Sequence, residues 1–573
     1  MSMMIAYYLI LILILSPVWV CAETLKIPSS SGGIIDKEIE QQYETEEVSP
    51  DKEVPSVEID IPEQELDIPE GKKILLKKIA LQGNTIFSSK ELQPILTLYE
   101  GTEMSMKDIH ELCRKIQNRY IESGYFLVRV YPPAQEIMNR TLKIEVMEAT
   151  LGDIEIVGNK HYKTKFIASY FNKYLGKTIN YNDLLKTLLL INENSDLAVG
   201  TIFQKGKDLG TVDMIIRVKD SDPYHISADF NNYGSGVTSR CRSGVRTDIG
   251  NVLQDGDNLS FIGVGGYPLH QLKFLDAIYT TPLNSRGSDL DLSFLFSEFH
   301  VDKMSELHIH GTTQVAGCKF SQALQRTKKL NTDIYTGFEY KQIRNFANHE
   351  TTAFDKLRVV ALGCKVDYMD SYKGHNVADI GVFGGIPKLL GGLRSVDGRC
   401  SREDAGGRFI YVDANYQRVQ RLPFSSLLLL SLQGQFSFYK LPLSEEFYIG
   451  GINTVRGYPL AIGLGDTGFC ANAEIRIPPL FMGSTRIIGS KKLWKEVIQF
   501  VGFLDHGEVF VHGGGIFEQS NRISLTSAGL GARVFGPFGI DCSADVGFPL
   551  GSVHLKPDTP NAIFYFRINM RFL

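Results

Sequence analysis

The sequence predicts an all-β transmembrane barrel of sixteen antiparallel strands, residues 223–573, preceded by two small α/β modules. Three observations predict it. After Pro223, segment after segment alternates strictly between apolar and polar residues. Beyond the first twenty or so residues, no stretch is apolar enough for long enough to cross a membrane as a helix. The alternating segments number roughly sixteen, an even count within the range that bacterial barrels use. A closed barrel is the only arrangement other than a helix that satisfies its own backbone hydrogen bonds in lipid.

The chain has 573 residues, enough for several domains, and a formal net charge of -5, which gives nucleic acid no reason to bind. Residues 1–22 read as a secretory signal. An apolar run from Ile5 to Leu15 leads to Pro17 and to the small-residue site Val20-Cys21-Ala22. Residues 23–73 are acidic, dotted with proline and poor in aromatics, the composition of a tether. Within it Ile34, Ile35, Ile39 and Tyr43 share one face of a short candidate helix.

The first module spans 74–149. A strand from Ile74 to Leu81 ends at Gly83-Asn84. A helix follows from Ser88, then a second from Ser105 to Ser123 that carries Ile109, Leu112, Cys113, Ile116 and Tyr120 on one face and stops at Gly124. Two strands close the unit, with Phe126, Val128 and Val130, then Leu142, Ile144 and Val146, on common faces. The same order repeats over 150–222: Ile154 and Ile156 lead into Gly158-Asn159, helices lie near 163–175 and 180–192, and Val212, Met214, Ile216 and Val218 line a last strand.

In the barrel region Leu290, Leu292, Phe294 and Phe296 alternate with Asp289, Asp291 and Ser293. Cys470, Asn472, Glu474 and Arg476 alternate with Phe469, Ala471, Ala473 and Ile475. The last strand sets Phe564, Phe566, Ile568, Met570 and Phe572 against Tyr565, Arg567, Asn569 and Arg571. A soluble sandwich also alternates, but no helical segment is at hand to cover so large a sheet. Apolar residues outward and polar residues inward leave an aqueous lumen unless something fills it.

Two segments concentrate the chemistry. One is the glycine-rich connection Gly450-Gly451-Ile452-Asn453-Thr454-Val455-Arg456-Gly457-Tyr458. The other is Phe503-Leu504-Asp505-His506-Gly507 at a strand end, where Phe503, Asp505 and Gly507 share lumen-facing parity. An arginine on a loop that folds inward can reach a lumen aspartate with charge-assisted bonds. The opposing reading is two ordinary solvated charges, and spacing leaves both open. His225, His308, His310 and His506 lack partners at catalytic or metal spacing; His308 and His310 are expected on one solvent-facing side of a strand, and His506 at the membrane interface. None of the eight cysteines forms a CxxC pair, and scattered thiols are expected rather than a disulfide framework. No catalytic residue, metal or cofactor is expected.

On the repeated modules, Asp229-Phe230-Asn231-Asn232-Tyr233-Gly234, Phe447-Tyr448-Ile449-Gly450-Gly451, Val455-Arg456-Gly457-Tyr458 and Phe503-x-Asp505-x-Gly507, the chain resembles the outer-membrane transporters of two-partner secretion. These export filamentous haemagglutinin and haemolysins and belong to the barrel-assembly superfamily. The resemblance covers nearly everything after Ile74. It implies a sixteen-stranded outer-membrane barrel with two periplasmic polypeptide-transport-associated (POTRA) modules. It also implies that the sixth surface loop enters the lumen, with Arg456 at its tip paired to Asp505, and that an N-terminal helix plugs the pore, a role that would fall near residues 34–47.

The implied function is export of one unfolded secreted protein, an adhesin, a haemolysin or similar, without ATP; the chain carries no phosphate-cradling GxxxxGK[ST] loop. A monomer in outer-membrane lipid is expected. Partner recognition is expected where an extended segment adds to a module edge, with Ile116, Tyr120, Tyr125, Leu127 and Arg129 as candidates. The opposing reading puts the apolar ones, Ile116 above all, in the module's own core. The alternatives are an assembly factor of the same superfamily, which carries more modules, and a passive pore or ligand receptor, which needs neither the modules nor the loop motif.

Overall fold

The structure is a computed structural model that describes residues 32–44, 55–60, 73–236, 238–301, 308–480, 486, 493–513, 521–536, 539–550 and 560–572. The signal segment and most of the acidic tether lie outside the described residues. Helix α1, Gly32–Glu44, and the short strand β1, Val57–Ile59, come first in the chain.

The first module is built from β2 (Ile74–Leu75), β3 (Lys78–Gln82), α2 (Ser89–Leu96), β4 (Glu103–Met104), α3 (Met106–Glu122), β5 (Val128–Tyr131) and β6 (Thr141–Glu148). Both helices start where a serine can cap them. Ser88 and Ser105 each accept the N3 backbone N–H, while Glu91 and Asp108 reach back to the cap. The second module repeats the order with β7 (Thr150–Val157), α4 (Thr164–Phe171), α5 (Tyr181–Ile191), β8 (Leu197–Lys205) and β9 (Thr211–Asp220). A 3-10 turn, Asn172–Tyr174, replaces the expected last turn of the helix near 163–175.

The repeat extends to individual hydrogen bonds. Asn84 Nδ2 donates to Phe87 O at 2.8 Å, and Asn159 Nδ2 donates to Tyr162 O at 2.8 Å. Glu148 accepts the backbone N–H groups of Thr85 and Ile86, and Asp220 accepts those of Lys160, His161 and Tyr162. Burial pushes the Asp220 carboxyl up, but these three N–H groups hold it below the usual carboxylate range. Gly83 and Gly158 both take positive φ, +82° and +97°. A Cβ on Gly158 would lie 2.3 Å from Val218 O. Gly158→Ala is therefore expected to cost the second module about 1–3 kcal/mol, read as a lower urea midpoint for protease resistance of residues 150–222 in the intact protein.

The modules are firmly joined. Phe126 meets Tyr181 and Phe203 edge-on at 5.9 and 5.4 Å, and Leu127 is buried in the second module's core. This corrects part of the sequence reading. Leu127 is a joint between modules, and Ile116 and Tyr120 are both 0% exposed inside the first module, where Tyr120 donates to Glu148 at 2.8 Å. A partner could reach these three only by opening the core. Arg129 is exposed and Tyr125 half-buried beside β5, an outer strand of the sheet β3-β6-β5.

Sixteen antiparallel strands then close into a barrel. The first, Tyr224–Asn231, pairs with the last, Ile563–Arg571, over Ser227–Asn231 and so removes both edges. Outward side chains such as Val245, Leu292, Phe294, Leu362, Ile380, Ile410, Phe500, Leu504 and Leu530 are exposed. An apolar surface this extensive is untenable in water and correct in lipid. The second module sits on the barrel rim where the first strand begins. His225 Nε2 lies 2.7 Å from Asp196 Oδ1, Lys163 pairs with Asp255 at 3.2 Å, Arg326 pairs with Glu193, and Leu190 packs with Ala323.

Candidate functional site

The connection between the eleventh strand (Leu427–Ser437) and the twelfth (Thr467–Ile477) does not stay outside. It folds into the lumen as a hairpin, with Phe447–Ile449 paired to Gly463–Gly465 and the Val455-Arg456-Gly457-Tyr458 tip below it. A small apolar cluster of Phe447, Ile449, Val455, Tyr458, Cys470, Val509 and Leu525 anchors it to the wall.

The thirteenth strand, Ile498–Phe510, supplies the counterpart. Arg456 Nε donates to Asp505 Oδ2 at 2.8 Å and Nη2 to Oδ1 at 2.9 Å, a bidentate fork. The Arg456 backbone N–H adds a third bond to Asp505 at 3.1 Å, and Nη1 donates to Glu474 Oε2 at 2.7 Å. Phe503 places its ring under the guanidinium, 3.5 Å from ring centre to Cζ. The two motifs thus interlock residue by residue. Phe503 and Asp505 hold the arginine, and Gly507 leaves room for Val455, whose Cγ2 lies 3.0 Å from where a Cβ would stand.

Gly457 is required by a different contact. Its φ is +89°, and a Cβ there would lie 2.8 Å from the backbone carbon of Gly547. A Cβ on Gly547 would in turn lie 2.5 Å from Gly457 N. Loop and wall meet glycine to glycine. Tyr565 Oη clamps the junction, accepting from Gly457 N–H at 3.2 Å and donating to Tyr458 O at 3.2 Å. Tyr458 Oη donates to Thr526 O at 3.0 Å.

Helix α1 lies in the lumen between this loop and the opposite wall. Ile35, Ile39 and Tyr43, spaced by four, pack on Ile262, Val264, Phe274, Leu295 and Phe299, while Ile34 turns to Tyr448, Leu460 and Ala461 of the loop. Glu38 pairs with Arg242, both fully buried, and Tyr43 donates to Asp229. Tyr448 donates to Gln41, Asn453 Nδ2 donates to Glu38 O at 3.1 Å, and Lys37 Nζ donates to Glu446 O at 3.1 Å.

Spacing left the pairing of Arg456 with Asp505 open and the family resemblance implied it; Glu474, Gly547 and Tyr565 were missed as partners of the loop, and Arg242 as the partner of Glu38. For Glu474 the signal was present, since its parity in the twelfth strand is lumenal; strand pairing sets it opposite Phe503. The partners of Gly457 and of Glu38 are far away in the chain, and nothing local marks them. His308 and His310 gather with His300 and His349 at the barrel end opposite the modules, where His300 and His310 stack at 5.5 Å. His506 lies 2.8 Å from Thr526 Oγ1 on the outward face.

Residues 210–534, more than half of the chain, match the family profile described as haemolysin secretion/activation protein ShlB/FhaC/HecB. The chain belongs to this family. Residues 74–149 match the POTRA domain of ShlB type. Like its family, the protein is an outer-membrane transporter, with its barrel in the outer membrane and its POTRA modules in the periplasm. The chain is similar to the heme/hemopexin transporter protein HuxB of Haemophilus influenzae, 22% identical over 78% of this chain and 79% of that one. Its fold resembles CdiB from Escherichia coli, with a TM-score of 0.72 at 18% identity over 90% of this chain and 94% of that one. CdiB from Acinetobacter baumannii gives a TM-score of 0.67 at 17% identity over 96% and 100%. Seen in a ShlB/FhaC/HecB member, the seven free cysteines among the described residues are isolated thiols.

Proposed function

We propose that this protein exports a single unfolded secreted protein through its barrel, without nucleotide, and that the pair Arg456–Asp505 seats the loop that shapes the pore. The supporting observation is the buried fork between a loop tip and a lumen strand, braced by Glu474 and Phe503. A passive diffusion pore needs neither this loop motif nor the two modules. The domain limits proposed are 1–22 for the signal, 23–73 for a tether that carries the plug helix α1, 74–149 and 150–222 for the modules, and 223–573 for the barrel. First contact with cargo is assigned to the edge of β5, where Arg129 and Tyr125 are reachable. The related HuxB is named for heme and hemopexin; a haem-acquiring partner is one cargo class, beside adhesins and haemolysins.

The test takes as cargo a large secreted protein found encoded beside this one and follows its export. Arg456→Ala is expected to abolish its appearance outside the cell while heat-modifiable barrel remains in the membrane. Normal export by that variant would refute the role of the loop.

A further inference from the structure

β1 belongs to neither module, yet it completes the second module's sheet, whose order is β1-β8-β9-β7. It runs parallel to β8, with Val57 opposite Thr201, Glu58 opposite Ile202 and Ile59 opposite Phe203. Thr201 N–H donates to Ser56 O at 3.0 Å, and Asp60 N–H donates to Phe203 O at 2.9 Å. Val57 packs on the module core, and Glu58 stands 3.9 Å from Arg217. Ser56 fits where β8 has no side chain: a Cβ on Gly200 would lie 2.5 Å from Ser56 Oγ.

The two modules serve as internal controls for each other. β5 and β8 occupy the same position in the repeat. Among the described residues, no strand pairs with the outer edge of β5, whereas that of β8 is taken by a segment from the tether. The module closes the first part of the β8 edge itself. Asn192 Nδ2 donates to Val199 O at 3.0 Å, and Asn192 Oδ1 accepts Val199 N–H at 2.7 Å. Only from Thr201 onward is the edge covered by something that can leave. Three rungs at a parallel edge, with Ile59 exposed, form a weak hold.

We propose that the β8 edge from Thr201 to Lys205 is a docking site for an extended segment of the exported polypeptide, and that β1 is its built-in placeholder. The fitting segment has a small β-branched residue at the Val57 position and an acid at the Glu58 position, facing Arg217. This rests on the export reading. Docking has a consequence for the lumen. With β1 in place, helix α1 is tied to the second module by residues 45–56 alone. With β1 displaced, the tie is residues 45–73, and the plug helix gains reach. Cargo engagement at the module thereby loosens the plug.

The experiment uses the full-length protein in micelles and a fluorescent synthetic peptide of residues 54–61, Val-Pro-Ser-Val-Glu-Ile-Asp-Ile. Val57→Asp in the protein empties the edge. The peptide is expected to bind this variant at least tenfold more tightly than the unaltered protein, and a peptide with the same Val→Asp change is expected to bind neither. Equal affinity for both proteins, or equal binding of both peptides, overturns the proposal. In planar bilayers the peptide at saturation is expected to raise the conductance of the unaltered protein, and an unchanged conductance overturns the coupling. Neither readout involves export, so peptide exchange without export would sink the export reading instead.

Discussion

Asp505→Ala is expected to unseat the lumen loop and bring export to background. The carboxylate accepts three hydrogen bonds from Arg456, two from the guanidinium and one from the backbone. Asp505 itself is 0% exposed. Its removal leaves a buried guanidinium with Glu474 as its remaining anion, a loss of about 3–5 kcal/mol for breaking a buried pair from one side. That is enough to shift a loop from seated to mostly unseated. Asp505→Asn is the informative companion. It keeps the shape and one acceptor, so it is expected to fall between the parent and the alanine variant in export. The measurement is cargo in the medium, alongside protease accessibility of residues 450–460 in intact cells. Full protection of that segment in Asp505→Ala would remove the fork from the mechanism. Reversing both charges, Arg456→Asp with Asp505→Arg, is expected to restore only a fraction of export, because Glu474 and the ring of Phe503 are built for a cation at the loop side.

Glu38→Ala is expected to open the pore. Glu38 and Arg242 are both completely buried between α1 and the wall. Arg242 Nε and Nη2 have no hydrogen-bond partner among the described residues, so Glu38 carries most of what compensates that charge. Without it, a seated helix would cover an unpaired guanidinium, again a cost of about 3–5 kcal/mol. A departed helix lets water reach it. The ratio of seated to unseated helix therefore falls by roughly two to four powers of ten. Planar-bilayer conductance should rise above that of the unaltered protein. Asp36 supplies a variant of opposite sign. Its carboxylate is buried beside the hydroxyls of Ser297 and Thr313 and makes no ion pair among the described residues. Asp36→Leu should seat the helix more firmly and lower the conductance. Identical traces for both variants would dissociate α1 from the pore's closure.

The barrel and the modules were legible in the sequence because each is a periodic object. Phe564 to Phe572 state a face every second residue, and Ile109 to Tyr120 state one by helical spacing. Gly83-Asn84 and Gly158-Asn159 announce the repeat because both glycines turn the same corner against a neighbouring strand's carbonyl. The fork was legible only as two halves, Arg456 and Asp505. Its joining depends on where a loop of nearly thirty residues turns, and that is set by Gly547 and Tyr565 on strands that close the barrel at the far end of the chain. The role of Ile116 and Tyr120 in the first module was left open in the sequence for a related reason. An amphipathic pattern says that a face is covered but not by what. Ile116 and Tyr120 are covered by their own module.

The seat of the second module on the barrel rim works as a ruler. His225 to Asp196, Lys163 to Asp255 and Arg326 to Glu193 pin the module at three points. The distance from the β8 edge to the pore entrance is then a constant of the architecture. On the docking and export routes proposed above, a cargo held at one end and threading at the other would span that interval with a set length of unfolded chain. Its docking segment and the first residues to enter the pore would stand at a characteristic separation in sequence, and that spacing would be a property of the cargo imposed by its transporter.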